Sequence, residues 1–370
     1  ELTLLGYIAF LDPPKDSATQ ALVLLKNAGV QVKVLTGDNG LVTRKICRDV
    51  GLPVERIVTG PELGALSPAA FAQTVQDAHI FCKLTPADKD QIVRTLRRLG
   101  HVVGFMGDGI NDAPALKAAD VGISVDAAVD VAKEAADIVL LEKSLLVLEE
   151  GILEGRRVFA NIIKYIRMSA SSNFGNMFSV VGASYLLPFL PMQPVQVLTN
   201  NLLYDFSQTG IPTDTVDEEI IARPLKWNID NIKRFMLFIG PISSIFDYAT
   251  FALMWWVFNC HLYTGESGTW DNLFQTGWFV ESLLTQTLIV HIIRSRKVPF
   301  FGGRASTHLL LTTAAVMAVG IWLPYSPFAG YLGLVRLPAL YWVFLVGFLL
   351  TYALLTHTVK SWFFRRFGAD

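Results

Sequence analysis

The sequence predicts two regions of different fold class: an α/β domain over residues 1–150 and an all-α membrane domain over residues 151–370. Composition is the first observation, with 52% hydrophobic and 17% charged residues and a mean hydropathy of +0.42. These values are too apolar for a soluble protein and indicate membrane spans. The second observation is a change of pattern near residue 150, from short alternating elements to long apolar runs.

Within residues 1–150, short apolar runs rich in Val and Ile alternate with amphipathic helical patterns. The runs predicted as strands are GYIAFLD, VQVKVLTGD, AHIFCKL, HVVGFMGD, VGISV and DIVLLE. The predicted helices are SATQALVLLKNAG, LVTRKICRDVG and DKDQIVRTLRRLG. This alternation indicates a parallel sheet covered on both faces, with ligands bound at the carboxyl ends of the strands.

After residue 150, six apolar runs are each about long enough to span a bilayer, at about 20 residues per span. They lie near residues 164–187, 194–212, 235–258, 274–293, 308–324 and 339–358. Basic residues concentrate in the loops 214–234 and 294–306 and in the C-terminal tail, while Arg336 is the only basic residue of the alternate loops. Positive charge favours the cytoplasmic side, so we expect residues 1–150 and the C-terminus to be cytoplasmic.

Charge and cysteine content exclude some functions. The net charge is −1, which gives no support to nucleic-acid binding. The three cysteines, Cys47, Cys82 and Cys260, are widely separated and lack metal-site spacing. We interpret them as structural thiols.

Polar residues follow three of the predicted soluble elements. Asp108, Asn111 and Asp112 come directly after the strand HVVGFM, a pattern that suits a hard cation such as Mg²⁺. The segment Thr36-Gly37-Asp38 ends another strand and offers a hydroxyl and backbone N–H groups to an anion. Lys89 adds a positive charge near the start of a helix. Together these groups are what phosphoryl transfer requires.

The membrane region carries its own polar residues, which are costly in a bilayer and therefore indicate function. Asn173 and Asn176 lie three apart in the first predicted span, and Asn201 and Asp205 lie four apart in the second. Glu281 lies in the fourth span. We predict that these five residues form or adjoin a transport site, with helix packing as the alternative role for the asparagines.

The motifs TGDN, KLTPADK and GDGINDAPALKAADVGI, in this order and followed by membrane spans, resemble the phosphorylation domain of P-type cation ATPases. The resemblance covers essentially the whole chain and implies a Rossmann-like, haloacid dehalogenase-like fold that uses ATP and Mg²⁺. It implies that Asp108 binds the catalytic Mg²⁺, and that Asn111 and Asp112 support the metal and the phosphate.

The same resemblance implies roles for the other soluble motifs. Thr36 and Gly37 would contact the phosphoryl group, with Asp38 close to the nucleotide and phosphate. Lys89 would neutralise the developing charge. The two polar spans would line the transport site, with the transported divalent cation and membrane lipid as partners.

One branch of the family is favoured. Asn176 stands where calcium pumps of this family carry a Glu, and an amide-rich site suits an ion that keeps part of its water, as Mg²⁺ prefers. The stretches NLLYDFSQTGIPTD and GWFVESLLTQTLIVHIIRSRKVPF are similar to those of bacterial magnesium-transporting P-type ATPases. That similarity implies ATP-driven Mg²⁺ uptake across the bacterial inner membrane.

The sequence departs from the family pattern in one respect, because it lacks the Asp-Lys-Thr-Gly-Thr motif that carries the phosphorylated Asp. Asp12, in LDPPKD, lacks the accompanying Thr and is rejected as a substitute. Thr264-Gly265-Glu266-Ser267 spells the dephosphorylation motif of the family's actuator domain, but we expect it in an outer loop and interpret it as coincidence. We therefore expect the actuator domain, the nucleotide-binding domain and the first four spans upstream of Glu1.

Three alternatives stay open. The first is a calcium or proton pump of the same family. The second is a half-protein without the nucleophile that acts as a partner or regulatory subunit in the membrane. The third is a membrane-tethered phosphatase that uses Asp12.

Overall fold

The computed structural model describes residues 16–142, 144–222, 224–225, 227–262, 270–295 and 304–368. The strand predicted at GYIAFLD, Asp12 and the segment 264–267 lie outside these residues. The chain divides into two compact units, with the division between Glu154 and Gly155.

The described part of the first unit contains six short parallel strands. They are β1 (Val34–Leu35), β2 (Ile57–Thr59), β3 (Ile80–Cys82), β4 (Gly104–Met106), β5 (Val121–Val125) and β6 (Ile138–Leu140). They form two three-stranded sheets, ordered β1-β3-β2 and β4-β5-β6, and every pairing is parallel. The predicted parallel pairing is confirmed, although the sequence did not reveal β2.

Among the described residues, seven helices accompany these strands. They are α1 (Asp16–Asn27), α2 (Gly40–Asp49), α3 (Gly60–Gly64), α4 (Pro68–Asp77), α5 (Pro86–Arg98), α6 (Ala113–Ala118) and α7 (Asp130–Ala135). Local chemistry fixes their starts: Asn39 caps α2, and Thr85 with Asp88 forms a capping box at α5. Each sheet has its own apolar core, and Leu35 and Val103 pack against both cores.

From Leu145 onward the described chain is helical. The helices are α8 (Leu145–Leu186), α9 (Pro194–Gln208), α10 (Glu218–Ile221), α11 (Ile229–Ala252), α12 (Trp270–Ile293), α13 (Thr307–Trp322) and α14 (Ala339–Phe367). Helix α12 is the central one, since 94% of its most apolar stretch is buried within the chain, compared with 22% for α14.

Four helical segments among the described residues are long and apolar enough to cross a bilayer: Ile229–Val257, Trp270–Ile293, Thr307–Tyr325 and Ala339–Phe367. They coincide with the last four predicted spans. The predicted spans at 164–187 and 194–212 fall mainly in α8 and α9, which are helical. Helix α9 has 15 residues, fewer than the about 20 that cross a bilayer without help. The count of six spans therefore stays a prediction.

A close helix contact joins α8 to α11. A Cβ added at Gly175 would overlap Ser243 Oγ and lie 2.6 Å from the Gly240 carbonyl oxygen. Ser244 Oγ donates to the Gly175 carbonyl at 3.0 Å. Small residues let the two backbones approach, as is usual at contacts between membrane helices.

A buried ionic network ties several helix ends together. The Asp214 carboxylate, 1% exposed, accepts from Lys164 Nζ at 3.0 Å and from Arg294 Nη1 at 3.2 Å. The backbone N–H of Ser306, which caps α13, donates to the same carboxylate at 3.2 Å. Asn161 Nδ2 donates to the Asp214 carbonyl at 3.1 Å. The network thus joins α8, α12 and the start of α13 through the segment that follows α9.

We expect Gly175→Ala to destabilise the protein by about 1–3 kcal/mol, because the added methyl group overpacks the α8–α11 contact. Gly155→Ala is the matched control on the same helix, since a Cβ there meets nothing within 4 Å. That control is expected to stabilise by about 0.5–1 kcal/mol through helix propensity. Thermal unfolding of the full-length protein in detergent measures both changes. Equal stability of the two variants would contradict the contact.

Candidate functional site

The turn after β1 is tied to the strand end of β3. Thr36 Oγ1 donates to Asp38 Oδ2 at 2.9 Å, and the Asp38 N–H donates to Thr36 Oγ1 at 3.1 Å. The Thr36 carbonyl accepts from the Leu84 N–H at 3.1 Å, and the Asp38 carbonyl accepts from the Lys83 N–H at 2.9 Å. Gly37 is exposed at the tip of this turn. The Thr36 hydroxyl therefore stabilises the turn from within, and the backbone hydrogen bonds to Lys83 and Leu84 hold it next to the start of α5.

The first N–H groups of α2 are already engaged, because Asn39 Oδ1 accepts from the Leu41 and Val42 N–H groups. A phosphate at this turn would therefore meet Gly37 and the Thr36 hydroxyl rather than an open helix N-terminus.

The segment after β4 is organised by Asp112. Its Oδ1 accepts from Lys89 Nζ at 2.7 Å, and its Oδ2 accepts from the Gly109 N–H at 3.1 Å. The Asp112 side chain is 12% exposed and that of Lys89 is 13% exposed. A Cβ on Gly107 would overlap the Asp112 Cβ, so glycine is required there. The geometry assigns Asp112 to holding the Lys89 ammonium group.

Asp108 and Asn111 are both exposed, and both shortly precede Asp112 in the sequence. Their carboxylate and amide oxygens are hard donors that suit Mg²⁺, which takes few protein ligands and keeps water. No group of three or more His, Cys, Asp or Glu residues that could hold a metal occurs among the described residues. A metal here would therefore rest on Asp108, Asn111, water and groups contributed from elsewhere.

The predicted soluble residues lie along one connected path. Leu84 binds the Thr36 turn, α5 begins two residues later at Pro86, and Lys89 of α5 binds Asp112. The structure thus links the turn at residues 36–38 to the segment at residues 107–112 through one helix.

The two cysteines of this unit are buried and unpaired. Burial raises the pKa of both the Cys47 and the Cys82 thiol. A raised pKa keeps a thiol protonated and unreactive at neutral pH, which supports their interpretation as structural residues.

The helical unit contains a cavity of about 220 Å³ between α8, α9 and α12. Its lining residues are Asn173, Asn176, Met177, Val180, Met192, Val197, Asn200, Asn201, Trp278 and Ser282. Three of the predicted transport residues, Asn173, Asn176 and Asn201, converge there. Asn200 and Ser282 were not predicted. The polar lining consists of amide and hydroxyl groups beside the Trp278 indole, with no carboxylate.

The two predicted acids do not line this cavity. Asp205 is exposed on the surface of α9. Glu281 is fully buried, and neither of its carboxyl oxygens has a hydrogen-bond partner among the described residues. Its neighbour Asp247 accepts from Ser179 Oγ at 2.6 Å and from Trp278 Nε1 at 2.7 Å. The carboxyl groups of Asp247 and Glu281 thus belong to the interior behind the cavity wall.

Family models match both parts of the chain. A haloacid dehalogenase-like hydrolase model matches residues 1–120, and the C-terminal region model of cation-transporting ATPases matches residues 189–362. The succession of an α/β hydrolase unit and this helical region defines the class: the chain belongs to the P-type cation-transporting ATPases.

Within that class, the relatives indicate the bacterial magnesium-transporting type. The chain is 58% identical over 368 residues to the magnesium-transporting ATPase, P-type 1, of Escherichia coli (strain K12), and 57% identical to that of Salmonella typhimurium (strain LT2). Both alignments cover 100% of this chain and 40% of the relative. A calcium-transporting ATPase of Bacillus subtilis (strain 168) is 29% identical over 331 residues, covering 79% of this chain and 37% of the relative. The chain thus spans about 40% of the length of the magnesium-transporting relatives that it matches.

We expect Lys89→Gln to destabilise the protein by about 1–2 kcal/mol, because the Asp112 carboxylate would stay buried without its cation. The residual exposure of the pair to solvent reduces the expected loss of stability. Lys117→Gln on α6 is the control, since Lys117 is exposed. Thermal unfolding of the full-length protein gives the measurement. A loss no greater than that of the control would contradict the proposed role of the ion pair.

Proposed function

We propose that the full-length protein couples ATP hydrolysis, through a phosphoaspartate, to Mg²⁺ transport across the bacterial inner membrane. The observation that carries the proposal is the cavity walled by four asparagines and a serine in the helical unit. Neutral oxygens in a membrane interior suit a cation that keeps part of its hydration shell. Relatives at 57–58% identity carry the name of magnesium transporters, compared with 29% for the calcium transporter.

The soluble unit is the phosphorylation domain in this proposal. Asp108, with Asn111, would hold the catalytic Mg²⁺, which would supply positive charge against the phosphate. Asp112, also predicted as a metal ligand, pairs with Lys89 Nζ at 2.7 Å. Lys89, oriented by Asp112, places its ammonium group toward the transferred phosphoryl group. Fixed positive charge of this kind lowers the barrier to phosphoryl transfer without covalent participation.

The turn after β1 completes the phosphate site. The Thr36 hydroxyl and Gly37 contact the phosphoryl group, and Asp38 orients the hydroxyl from the nucleotide side. Support comes from the hydrogen bonds that fix this turn against the start of α5.

The nucleophilic Asp is contributed by a strand outside this chain. Among the described strands, β1 and β4 each have a hydrogen-bonded neighbour on one side only. Leu35 of β1 and Val103, just before β4, pack against both apolar cores, so the two free edges are close to each other. A parallel strand inserted there would end beside Gly37 and Asp108, where a phosphorylated Asp is needed.

Asn173, Asn176 and Asn201 bind the transported ion, and Asp205 and Glu281 adjoin this site without lining the cavity. We propose six spans for residues 151–370, with residues 1–150 and the C-terminus in the cytoplasm and lipid around the helices. Uptake into the cytoplasm is carried over from the resemblance to the family. The remaining partners are ATP and the N-terminal part of the same pump.

We expect Asp108→Asn in the full-length protein to reduce phosphoenzyme formation from ATP about 100-fold or more, because the catalytic metal loses its carboxylate ligand. Asp126→Asn is the control, since Asp126 is an exposed acid at the end of the neighbouring strand β5. Acid-stable labelling with radioactive ATP measures the phosphoenzyme. Normal labelling of the Asp108 variant would remove this residue from the site.

We expect Asn176→Ala to raise the half-saturating Mg²⁺ concentration for transport about tenfold, the effect of losing one ligand worth about 1.4 kcal/mol. Met177→Ala is the control, because it enlarges the same cavity without removing an oxygen. Mg²⁺ movement into proteoliposomes, followed with a Mg²⁺-sensitive dye, gives the measurement. Transport of Ca²⁺ in place of Mg²⁺ by the unaltered protein would favour a calcium pump. No transport at all would favour the partner-subunit alternative.

A further inference from the structure

One face of α9 carries a row of buried polar side chains, which we name the polar row: Asn200, Tyr204 and Gln208. They lie four residues apart and are 3%, 3% and 4% exposed. Spacing of four places them one above another on the helix. Asn201 and Asp205 share the same spacing but are exposed, although Asn201 also lines the cavity. The polar row is therefore the interior face of this helix.

The polar row has hydrogen-bonding capacity that the described chain does not use. Asn200 Oδ1, Tyr204 Oη and both polar atoms of Gln208 have no hydrogen-bond partner among the described residues, and neither does Ser172 Oγ on α8. Ser172 and Gln208 lie next to the Tyr204 hydroxyl. Each of these atoms is almost fully shielded by this chain, so a segment packed on its outside would not reach them. Buried polar atoms in such number indicate water or an ion.

The polar row runs from the cavity to the C-terminal end of α9. Asn200 lines the cavity, whereas Gln208 is the last residue of α9. Eight residues of α-helix span about 12 Å. The row thus leads from the cavity to the helix end that precedes Asp214, on the side where the basic loops lie.

We propose that the polar row, with Ser172, is the path along which the transported divalent cation, with part of its water shell, moves between the cavity and the membrane face at the end of α9. This inference rests on the proposed transport function. The groups offered are neutral oxygens and an amide, which replace water molecules one at a time without binding the ion tightly. Conduction requires contacts that are favourable enough to admit an ion and weak enough to release it.

A row of polar atoms that plays no part in transport makes the opposite prediction. Removing an unsatisfied buried polar atom without changing the volume of the side chain leaves stability unchanged or raises it. The row would then be a tolerated defect, and its apolar replacement would leave transport unchanged.

The test uses Gln208→Leu and Tyr204→Phe in the full-length protein in proteoliposomes. Thr250→Val is the matched control, because Thr250 is fully buried on α11 and its hydroxyl is also unpartnered among the described residues. The maximal rate of Mg²⁺ transport is expected to fall about tenfold in Gln208→Leu and less in Tyr204→Phe. The half-saturating Mg²⁺ concentration should stay within about twofold of that of the unaltered protein, and the melting temperature should not fall. The control should transport at the normal rate.

Normal transport by both variants would overturn the path. Loss of transport together with a lower melting temperature would overturn it as well, because it would show a structural role. Absence of Mg²⁺ transport by the unaltered protein would overturn the proposed function itself, an outcome distinct from a working pump that is indifferent to Gln208→Leu.

Discussion

The helical unit depends on the buried carboxylate of Asp214. A charge at 1% exposure is stable only when opposite charges and hydrogen bonds replace its water, and Lys164, Arg294 and the Ser306 N–H supply them. These donors belong to α8, the residue that follows α12, and the cap of α13. Helices α8 and α12 also carry walls of the asparagine-lined cavity. The Asp214 carboxylate therefore sets the distance between α8 and α12 at one end. It contacts none of the residues proposed to bind the ion.

The two units handle polarity in opposite ways, according to access to water. At the strand ends of the soluble unit, the acids Asp38 and Asp108 are exposed, where water offsets the energy of a fixed charge. In the helical unit, the cavity is lined by amides and a hydroxyl group instead. In the proposed function, charge is used where a highly charged phosphate is held, and neutral oxygen where a cation must later leave.

Much of this could be predicted from the sequence. Strand and helix alternation predicted the parallel pairing, and the density of acids in GDGINDAP led to a candidate site, because strand ends of a parallel sheet converge. The ion pair between Lys89 and Asp112 could not be predicted, since it joins residues 23 positions apart. In α9, Asn201 with Asp205 and Asn200 with Tyr204 show the same four-residue spacing. Periodicity cannot tell which of two adjacent faces is interior, since neighbouring helices decide it.

The glycine contact between α8 and α11 limits the motions available to the cavity. The two backbones are in direct contact, with no intervening side chains whose rearrangement would let one helix shift along the other. The Ser244 hydroxyl also donates a hydrogen bond from α11 to α8 across this contact. The two helices therefore form a rigid pair. Any widening of the cavity near Asn173 and Asn176 must come from displacement of α9 or α12 against that pair.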